Sequence, residues 1–139
     1  LITPFGFVIQ NTGLLIDEQS DFIIEYFDNP LWTGALYPLD THTIVPSKKI
    51  TECLTGWVLK FQRYIVGQGV QNSHYQYVHI PKIHALIHNG AGVVLVLGYS
   101  MNNPAVRKYI YIYNDRIVGH ADNNQGVSNA LALTGVYEY

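Results

Sequence analysis

The residues best suited to chemistry in this sequence are one cysteine and a few histidines. Cys53 is the only cysteine, which excludes an internal disulfide and any metal site that needs two thiolates. A thiol acts as a nucleophile only when it is deprotonated and an imidazole lies within reach. His120 and Asp122, in Gly-His-Ala-Asp, are the residues expected to supply such a base and the carboxylate that orients it.

The surroundings of Cys53 resemble the papain-like cysteine hydrolases, in which a cysteine near the start of a long helix precedes a β region. Cys-Leu-Thr-Gly-Trp-Val-Leu-Lys-Phe at 53–61 and Val-Val-Leu-Val-Leu-Gly-Tyr at 93–99 carry the resemblance. In that family the catalytic histidine opens the strand that ends in Gly-Tyr, whereas this chain has Ala91-Gly92 there. The resemblance implies a hydrolase or deamidase in which Cys53 is the nucleophile and His120 is the base. The alternative is a buried cysteine that acts as a small hydrophobic residue.

A pair of histidines has the spacing of a metal site. His84 and His88 are four residues apart on a predicted short helix, which is a spacing that can hold zinc. The metalloprotease motif needs a glutamate directly after the first histidine as general base, and this chain has Ala85 there. We therefore interpret the pair as surface histidines, keep a metal site as the alternative, and predict no cofactor.

The element expected to position Cys53 is an amphipathic helix from about residue 48 to residue 66. Seven residues fall at the spacing of one helical stripe: Ile50, Cys53, Leu54, Trp57, Val58, Phe61 and Ile65. Ser47 precedes this stretch as the N-cap, and Gly67 and Gly69 follow it as the stop signal. The stripe predicts that the helix packs across a sheet and buries Cys53.

Other segments have strand patterns or turn signals. Residues 74–80 and 106–113 alternate in hydropathy, which indicates strands with one face toward water. Between them, Pro81 opens a short helix that ends at Asn89-Gly90, and residues 93–97 have the continuous apolar pattern of a strand covered on both faces. Further predictions are a hairpin turn at 10–13, a short helix at 20–27, a strand or ordered loop at 32–45, a hairpin turn at 114–115 into 116–120, and a strand at 136–139.

Together these elements predict one α+β domain over residues 1–139. The fold is expected to be a mainly antiparallel sheet of five or six strands, with the long helix of residues 48–66 packed on one face and one or two short helices. A length of 139 residues is usual for one domain, and 48% hydrophobic residues are enough for a core. The longest apolar run, residues 91–97, is too short to cross a membrane, and no signal peptide is visible. We therefore expect no membrane partner and a cytoplasmic location.

The charge and the aromatic residues point to a binding surface. Residues 1–47 carry six acids and no Lys or Arg, which predicts an acidic surface for a basic protein partner. The bases at 48–139 are too dispersed for a nucleic-acid partner. The residues predicted to form the surface are Asp17, Glu18, Asp21, Glu25, Trp32, Tyr37, Tyr109, Tyr111 and Tyr113.

Three functional hypotheses follow from the sequence. The leading one is a small non-enzymatic protein-binding domain of the inhibitor or immunity-protein type, because no complete catalytic constellation is present. The second is a cysteine hydrolase or deamidase that uses Cys53, His120 and Asp122. The third is a homo-oligomeric structural subunit whose sheet edges pair between copies.

Overall fold

The structure, a computed structural model, describes residues 29–139, and this part of the chain is mostly β. Strands account for 45% of it and helical segments for 17%. The strands are β1 (Pro30–Leu36), β2 (Thr43–Ile44), β3 (Gly56–Ile65), β4 (Gly69–Val70), β5 (Gln76–Pro81), β6 (Gly92–Leu97), β7 (Val106–Ile112), β8 (Ile117–Val118) and β9 (Leu131–Glu138). The helical segments are α1 (Lys82–His88) and three short 3-10 turns, Ile50–Glu52, Ala121–Asn124 and Gly126–Ala130.

The strands form two antiparallel sheets. In the larger sheet β3 lies between β9 on one side and β5 with β4 on the other, and β1 pairs with the far edge of β9. The smaller sheet has the order β2-β8-β7-β6. Successive side chains of a strand point to opposite faces, so each sheet has an inner and an outer face.

The inner faces of both sheets contribute to a single hydrophobic core. Trp57, Leu59 and Phe61 of β3 are fully buried, and so are Ile110 and Ile112 of β7. Residues at every second position of a strand lie on one face, which explains why these five alternate with more exposed neighbours. The core therefore fixes which side chains of each strand are left on the outside.

The prediction of a long amphipathic helix at residues 48–66 is wrong, and with it the predicted fold class. Only Ile50–Glu52 form a short 3-10 turn, and the chain then enters the ten-residue strand β3. Every second residue from Trp57 to Phe61 is buried, which is the period of a strand, and β3 pairs along both edges with β5 and β9. Leu54, placed on the buried stripe, is exposed. Within residues 29–139 no helix has the length and apolar character needed to cross a bilayer.

Most of the shorter predictions that fall within the described residues are confirmed. Strands are present as β5 and β7, a short helix as α1 directly after Pro81, and a turn at Asn114-Asp115 that leads into β8. The final strand, β9, is longer than predicted. The prediction that residues 93–97 are covered on both faces is wrong, because Val94 and Val96 are exposed. The predicted turn at 10–13 and helix at 20–27 lie outside the described residues.

Candidate binding face

The outer surface of the smaller sheet carries a compact aromatic and aliphatic group. We call it the tyrosine face and define it by Val94, Val96, Tyr109, Tyr111 and His120. Antiparallel pairing of β6 with β7 sets Val94 opposite Tyr109. The rings of Tyr109 and Tyr111 meet edge to face with centroids 5.1 Å apart, and the His120 ring lies 5.4 Å from that of Tyr109. These contacts hold three rings in fixed mutual orientations.

A glycine on the neighbouring strand makes room for the rings. Gly92 of β6 pairs with Tyr111, and the Tyr109 ring leans diagonally across it. A Cβ atom at Gly92 would overlap the hydroxyl oxygen of Tyr109. Any larger residue at this position would therefore displace the Tyr109 ring, which covers the glycine in the way that aromatic side chains commonly cover glycines in sheets.

The two valines of the tyrosine face are unusually exposed for β-branched residues in a sheet. Val94 is 60% exposed and Val96 is 62% exposed. Their inward neighbours Leu95 and Leu97 are buried in the core, so β6 is apolar on both faces. The two valines therefore add exposed aliphatic surface beside the tyrosine rings.

Polar and cationic groups border the tyrosine face. Tyr113 continues the alternation of β7, and the Arg116 guanidinium lies 3.8 Å above its ring while it pairs with Asp115 at 2.8 Å. Exposed Arg107 borders the other end of β7. Partial desolvation, followed by the proximity of Tyr109, raises the pKa of the Tyr111 hydroxyl, so this hydroxyl is a neutral hydrogen-bonding group at pH 7.

Beneath the tyrosine face lies a buried lysine. Lys108 points into the core from β7 and is 1% exposed. Its Nζ donates to the carbonyl oxygens of Asn123 at 2.7 Å and Ser128 at 2.6 Å, and it lies 5.0 Å from the centroid of the Tyr37 ring. Burial lowers the pKa of Lys108 to about 7, because the charged form has no water around it.

A buried asparagine connects this lysine to the tyrosine face. The Asn123 side chain accepts from the backbone N–H of Tyr109 at 2.8 Å and donates to the carbonyl oxygens of Tyr109 at 2.9 Å and Pro38 at 2.6 Å. Ser128 Oγ donates to the Arg107 carbonyl at 2.9 Å. Hydrogen bonds from the Lys108 side chain of β7, and from the Asn123 and Ser128 side chains of the segment, thus fix the segment 120–130 to β7. The same segment places His120 against Tyr109.

The predicted binding residues are placed in two different environments. Tyr109, Tyr111 and Tyr113 share the outer side of the smaller sheet, as the alternation predicted. Trp32 packs against the core from β1. Tyr37 is partly buried, its hydroxyl has no hydrogen-bond partner within the described residues, and burial raises its pKa. The predicted acidic residues Asp17, Glu18, Asp21 and Glu25 lie outside the described residues.

Cys53 is placed as a structural residue of the core. It is 2% exposed, directly follows the 3-10 turn, and its Sγ donates to the Lys49 carbonyl at 3.3 Å. Burial and then the nearby Glu138 carboxylate raise the pKa of the thiol to about 11. A catalytic cysteine needs the opposite, an accessible thiol with a lowered pKa. The long helix on which the papain-like resemblance depended is also absent from residues 29–139.

The predicted partners of Cys53 are engaged elsewhere. His120 Nδ1 accepts the backbone N–H of Asp122 at 3.1 Å and lies 3.7 Å from its carboxylate. The ring contacts of His120 are with Tyr109 and Tyr111 on the outer side of the smaller sheet. Its geometry therefore fits an aromatic contact surface rather than a general base for a thiol inside the core.

The His84 and His88 rings lie on α1 with centroids 6.0 Å apart. Among residues 29–139 no group of three potential ligands is close enough to hold a metal ion. His84 Nε2 lies 3.1 Å from the Ala91 carbonyl oxygen, which fixes the ring to the loop that follows α1. His88 is exposed and His84 is half-buried.

A second aromatic group lies on the outer face of the larger sheet. Tyr75 and Tyr77 have nearly parallel rings 6.3 Å apart, and Lys60 of β3 approaches the Tyr137 ring at 5.6 Å. Tyr77 is 64% exposed. Tyr77 is on the larger sheet, so a substitution there is a matched control for substitutions of Tyr109 and Tyr111.

Sequence reasoning did not single out Val94, Val96 or Lys108. The valines were assigned to a covered strand because a continuous apolar run resembles a buried one. In the alternation of residues 106–113, Lys108 falls on the apolar side with Val106, Ile110 and Ile112. A lysine at an inward position of an amphipathic strand is itself the signal that would have identified a buried cation.

The sequence matches no known protein-family model and has no significant similarity to a curated protein. The function proposed for this chain therefore rests on the geometry of residues 29–139.

Proposed function

We propose that this chain is a non-enzymatic domain that binds a protein partner through the tyrosine face. The observation that carries the proposal is the pair of exposed valines beside two tyrosine rings held edge to face. Tyrosine and arginine dominate the binding energy of protein interfaces because they give large contact area together with a polar group. Tyr109, Tyr111 and the bordering Arg107 and Arg116 supply both.

The aliphatic part of the face favours a protein over other ligand classes. Val94 and Val96 gain free energy only when apolar groups cover them, at about 25 cal/mol per Å² of buried apolar surface. A sugar or a nucleotide phosphate placed over the two valines would lose hydration there, because valine side chains offer no hydrogen bonds in return. A protein side chain such as leucine or phenylalanine covers the valines, while the tyrosine hydroxyls bond to its polar neighbours.

The charge of the partner is a separate part of the proposal. Five of the six acids that predict a basic partner lie outside the described residues, and the sixth, Asp40, is exposed. The tyrosine face itself is bordered by Arg107 and by the Arg116–Asp115 ion pair. An inhibitor or immunity-type role would be one form of such binding. The exposed surface supports the proposal of a binding domain. It does not distinguish an inhibitor or immunity-type role from other kinds of protein binding.

Affinity capture with matched variants tests the proposal. The bait is the full chain in three forms: the unmodified sequence, the double variant Tyr109→Ala/Tyr111→Ala, and the control Tyr77→Ala on the other sheet. We expect one protein to be retained by the unmodified chain and the control, and its affinity to fall at least about 30-fold in the double variant, because hot-spot tyrosines contribute 2 kcal/mol or more. Quantitative mass spectrometry followed by calorimetry measures this.

Three outcomes would contradict the proposal. One is a partner bound equally well by the double variant. Another is a doubled mass in light scattering that the double variant restores to that of a monomer, which would assign the tyrosine face to contacts between copies. The third is binding to a glycan array that the double variant abolishes, with no protein captured.

A further inference from the structure

Lys108 lies in the core, and no carboxylate of residues 29–139 pairs with it. Within residues 29–139 it forms no ion pair, and its only hydrogen bonds are to the Asn123 and Ser128 carbonyl oxygens. A neutral amine has two N–H groups, which is the number these two carbonyls accept. A protonated amine has a third N–H and a full charge, and these face the ring of Tyr37. At 1% exposure the protonated amine has neither water nor a carboxylate of residues 29–139 to offset its charge, so desolvation favours the neutral amine.

The groups around Lys108 do not compensate a positive charge. Tyr37 is the titratable group that faces it directly, and burial keeps its hydroxyl neutral. Behind Tyr37 lie Tyr64, in edge-to-face contact at 5.5 Å, and Arg63, which is a cation itself. On the segment above, Asp122 is largely exposed to solvent. Cation–π attraction to Tyr37 favours the charge, but the cost of desolvation is larger, and the pKa falls to about 7.

The acceptors of Lys108 belong to the segment that completes the tyrosine face. Asn123 and Ser128 lie in the two 3-10 turns between β8 and β9. Asn123 also holds the backbone of Tyr109, and the same segment carries His120 against the tyrosine rings. Opening this segment would admit water to a charged Lys108 and would at the same time disturb Tyr109 and His120.

We propose that protonation of Lys108 loosens the segment 120–130 and so weakens binding at the tyrosine face in mildly acidic solution. The effect on binding rests on the proposed function, whereas the loosening does not. The neutral amine keeps the segment closed and the tyrosine rings ordered. The protonated amine favours an open segment in which the ammonium group is hydrated.

Amide hydrogen exchange tests the loosening without any partner. Protection of residues 120–130 is compared with that of β3 at pH 8.5 and 5.5, after correction for intrinsic exchange rates. If the open segment restores an ordinary lysine pKa, opening becomes about 30-fold more favourable at the lower pH. We expect this change in the unmodified chain and in Lys49→Met, an exposed control, and its loss in Lys108→Met.

His120 is an ionisable side chain of the same segment and needs its own variant. His120→Asn removes the imidazole ring and keeps an acceptor for the Asp122 N–H. We expect pH-dependent exchange of the segment to persist in this variant. Its loss there, or its persistence in Lys108→Met, would overturn the proposal.

A direct measurement on the unmodified chain keeps the inference testable if Lys108→Met fails to fold. Nitrogen-detected NMR of the lysine Nζ groups should show the Lys108 amine titrating near pH 7. If no lysine titrates near pH 7, the inference is wrong. If Lys108 titrates and the exchange of the segment 120–130 depends on pH, but the chain binds no partner, the proposed function is refuted while the loosening by Lys108 stands.

Discussion

The inner faces of β3 and β7 show two different uses of a strand in one core. β3 contributes three fully buried apolar side chains, Trp57, Leu59 and Phe61, and is paired along both edges. β7 contributes apolar residues too, but it places Lys108 between Val106 and Ile110. The first arrangement maximises the apolar surface removed from water. The second gives up some stability, since an uncompensated buried amine is costly, and in return fixes the segment 120–130.

The difference teaches that the two strands are tied to different parts of the molecule. From Trp57 to Phe61 the inner side chains of β3 are all apolar and pack in the core. β7 carries the tyrosine face on its outer side, and on its inner side Lys108 bonds to the segment 120–130 that also holds Tyr109. The buried lysine thus connects the core to this segment, which an apolar side chain at that position would not do.

The largest expected effect tests the structural side of this comparison. Phe61→Ala should lower the free energy of unfolding by about 3–5 kcal/mol, because it leaves a cavity in a close-packed core. The matched change Tyr77→Ala on the outer face of β5 should alter it by less than about 1 kcal/mol. Urea unfolding followed by tryptophan fluorescence measures both. Equal losses would show that β3 is not the centre of the core.

The second prediction concerns the cost of the buried lysine. The folded pKa of Lys108 is lower than its unfolded value, so above pH 7 the unfolded chain binds more protons and stability must rise with pH. Between pH 7 and 9 the unmodified chain should gain about 2 kcal/mol relative to Lys108→Met, at a slope near 1.4 kcal/mol per pH unit. Urea unfolding at several pH values gives the slope, with Lys49→Met as the control. Parallel curves for the unmodified chain and Lys108→Met would contradict a neutral Lys108.

The third prediction concerns the thiol at the entrance to β3. Cys53→Ala should cost about 1–2 kcal/mol, since it removes a buried sulfur and its hydrogen bond to the Lys49 carbonyl. Iodoacetamide labelling of the folded chain provides a second readout. A pKa near 11 instead of the usual 9.0 leaves about 100-fold less thiolate at pH 8, so labelling should be slower by at least that factor. A thiol as reactive as that of a denatured control would contradict its burial.

The smallest expected effect on stability is local to the tyrosine face. Gly92→Ala displaces the Tyr109 ring, which can swing toward solvent, so the free energy of unfolding should change by less than about 1 kcal/mol. The contact between Tyr109 and Tyr111 should nevertheless be lost, and nuclear Overhauser effects between their ring protons report it. Gly98→Ala is the matched control because a Cβ atom there has only ordinary contacts. Unchanged ring contacts in Gly92→Ala would refute the account of this glycine.

The same comparison shows where sequence reasoning succeeded and failed. β7 was predicted because its tyrosines alternate with inward residues and its turn signals lie close by in the chain. β3 was predicted as a helix because Trp57, Phe61 and Ile65 also fit a helical stripe in a segment that is apolar almost throughout. The strand period from Trp57 to Phe61 was present, but the pairing that decides between the two periods involves β9, about 70 residues away.

The candidate site was predictable only in part. The shared side of Tyr109, Tyr111 and Tyr113 follows from alternation along one strand. The contact of His120 with these rings, and the bonds from Lys108 to the segment above it, depend on the path of the chain between β8 and β9. No local pattern encodes that path, because the two 3-10 turns there are fixed by tertiary hydrogen bonds of Lys108, Asn123 and Ser128.

The position of β9 between β1 and β3 has a consequence for the rate of folding. Pro30 pairs with Tyr137 and Trp57 with Glu138, so the middle of the larger sheet joins residues that are far apart in sequence. Closing such long loops costs entropy before any contact compensates for it, which places chains of this topology among those that fold in milliseconds to seconds. Until β9 docks, β1 and one edge of β3 expose unpaired backbone groups. Dilute conditions and low temperature during refolding should therefore limit aggregation of chains in which β9 has not yet docked.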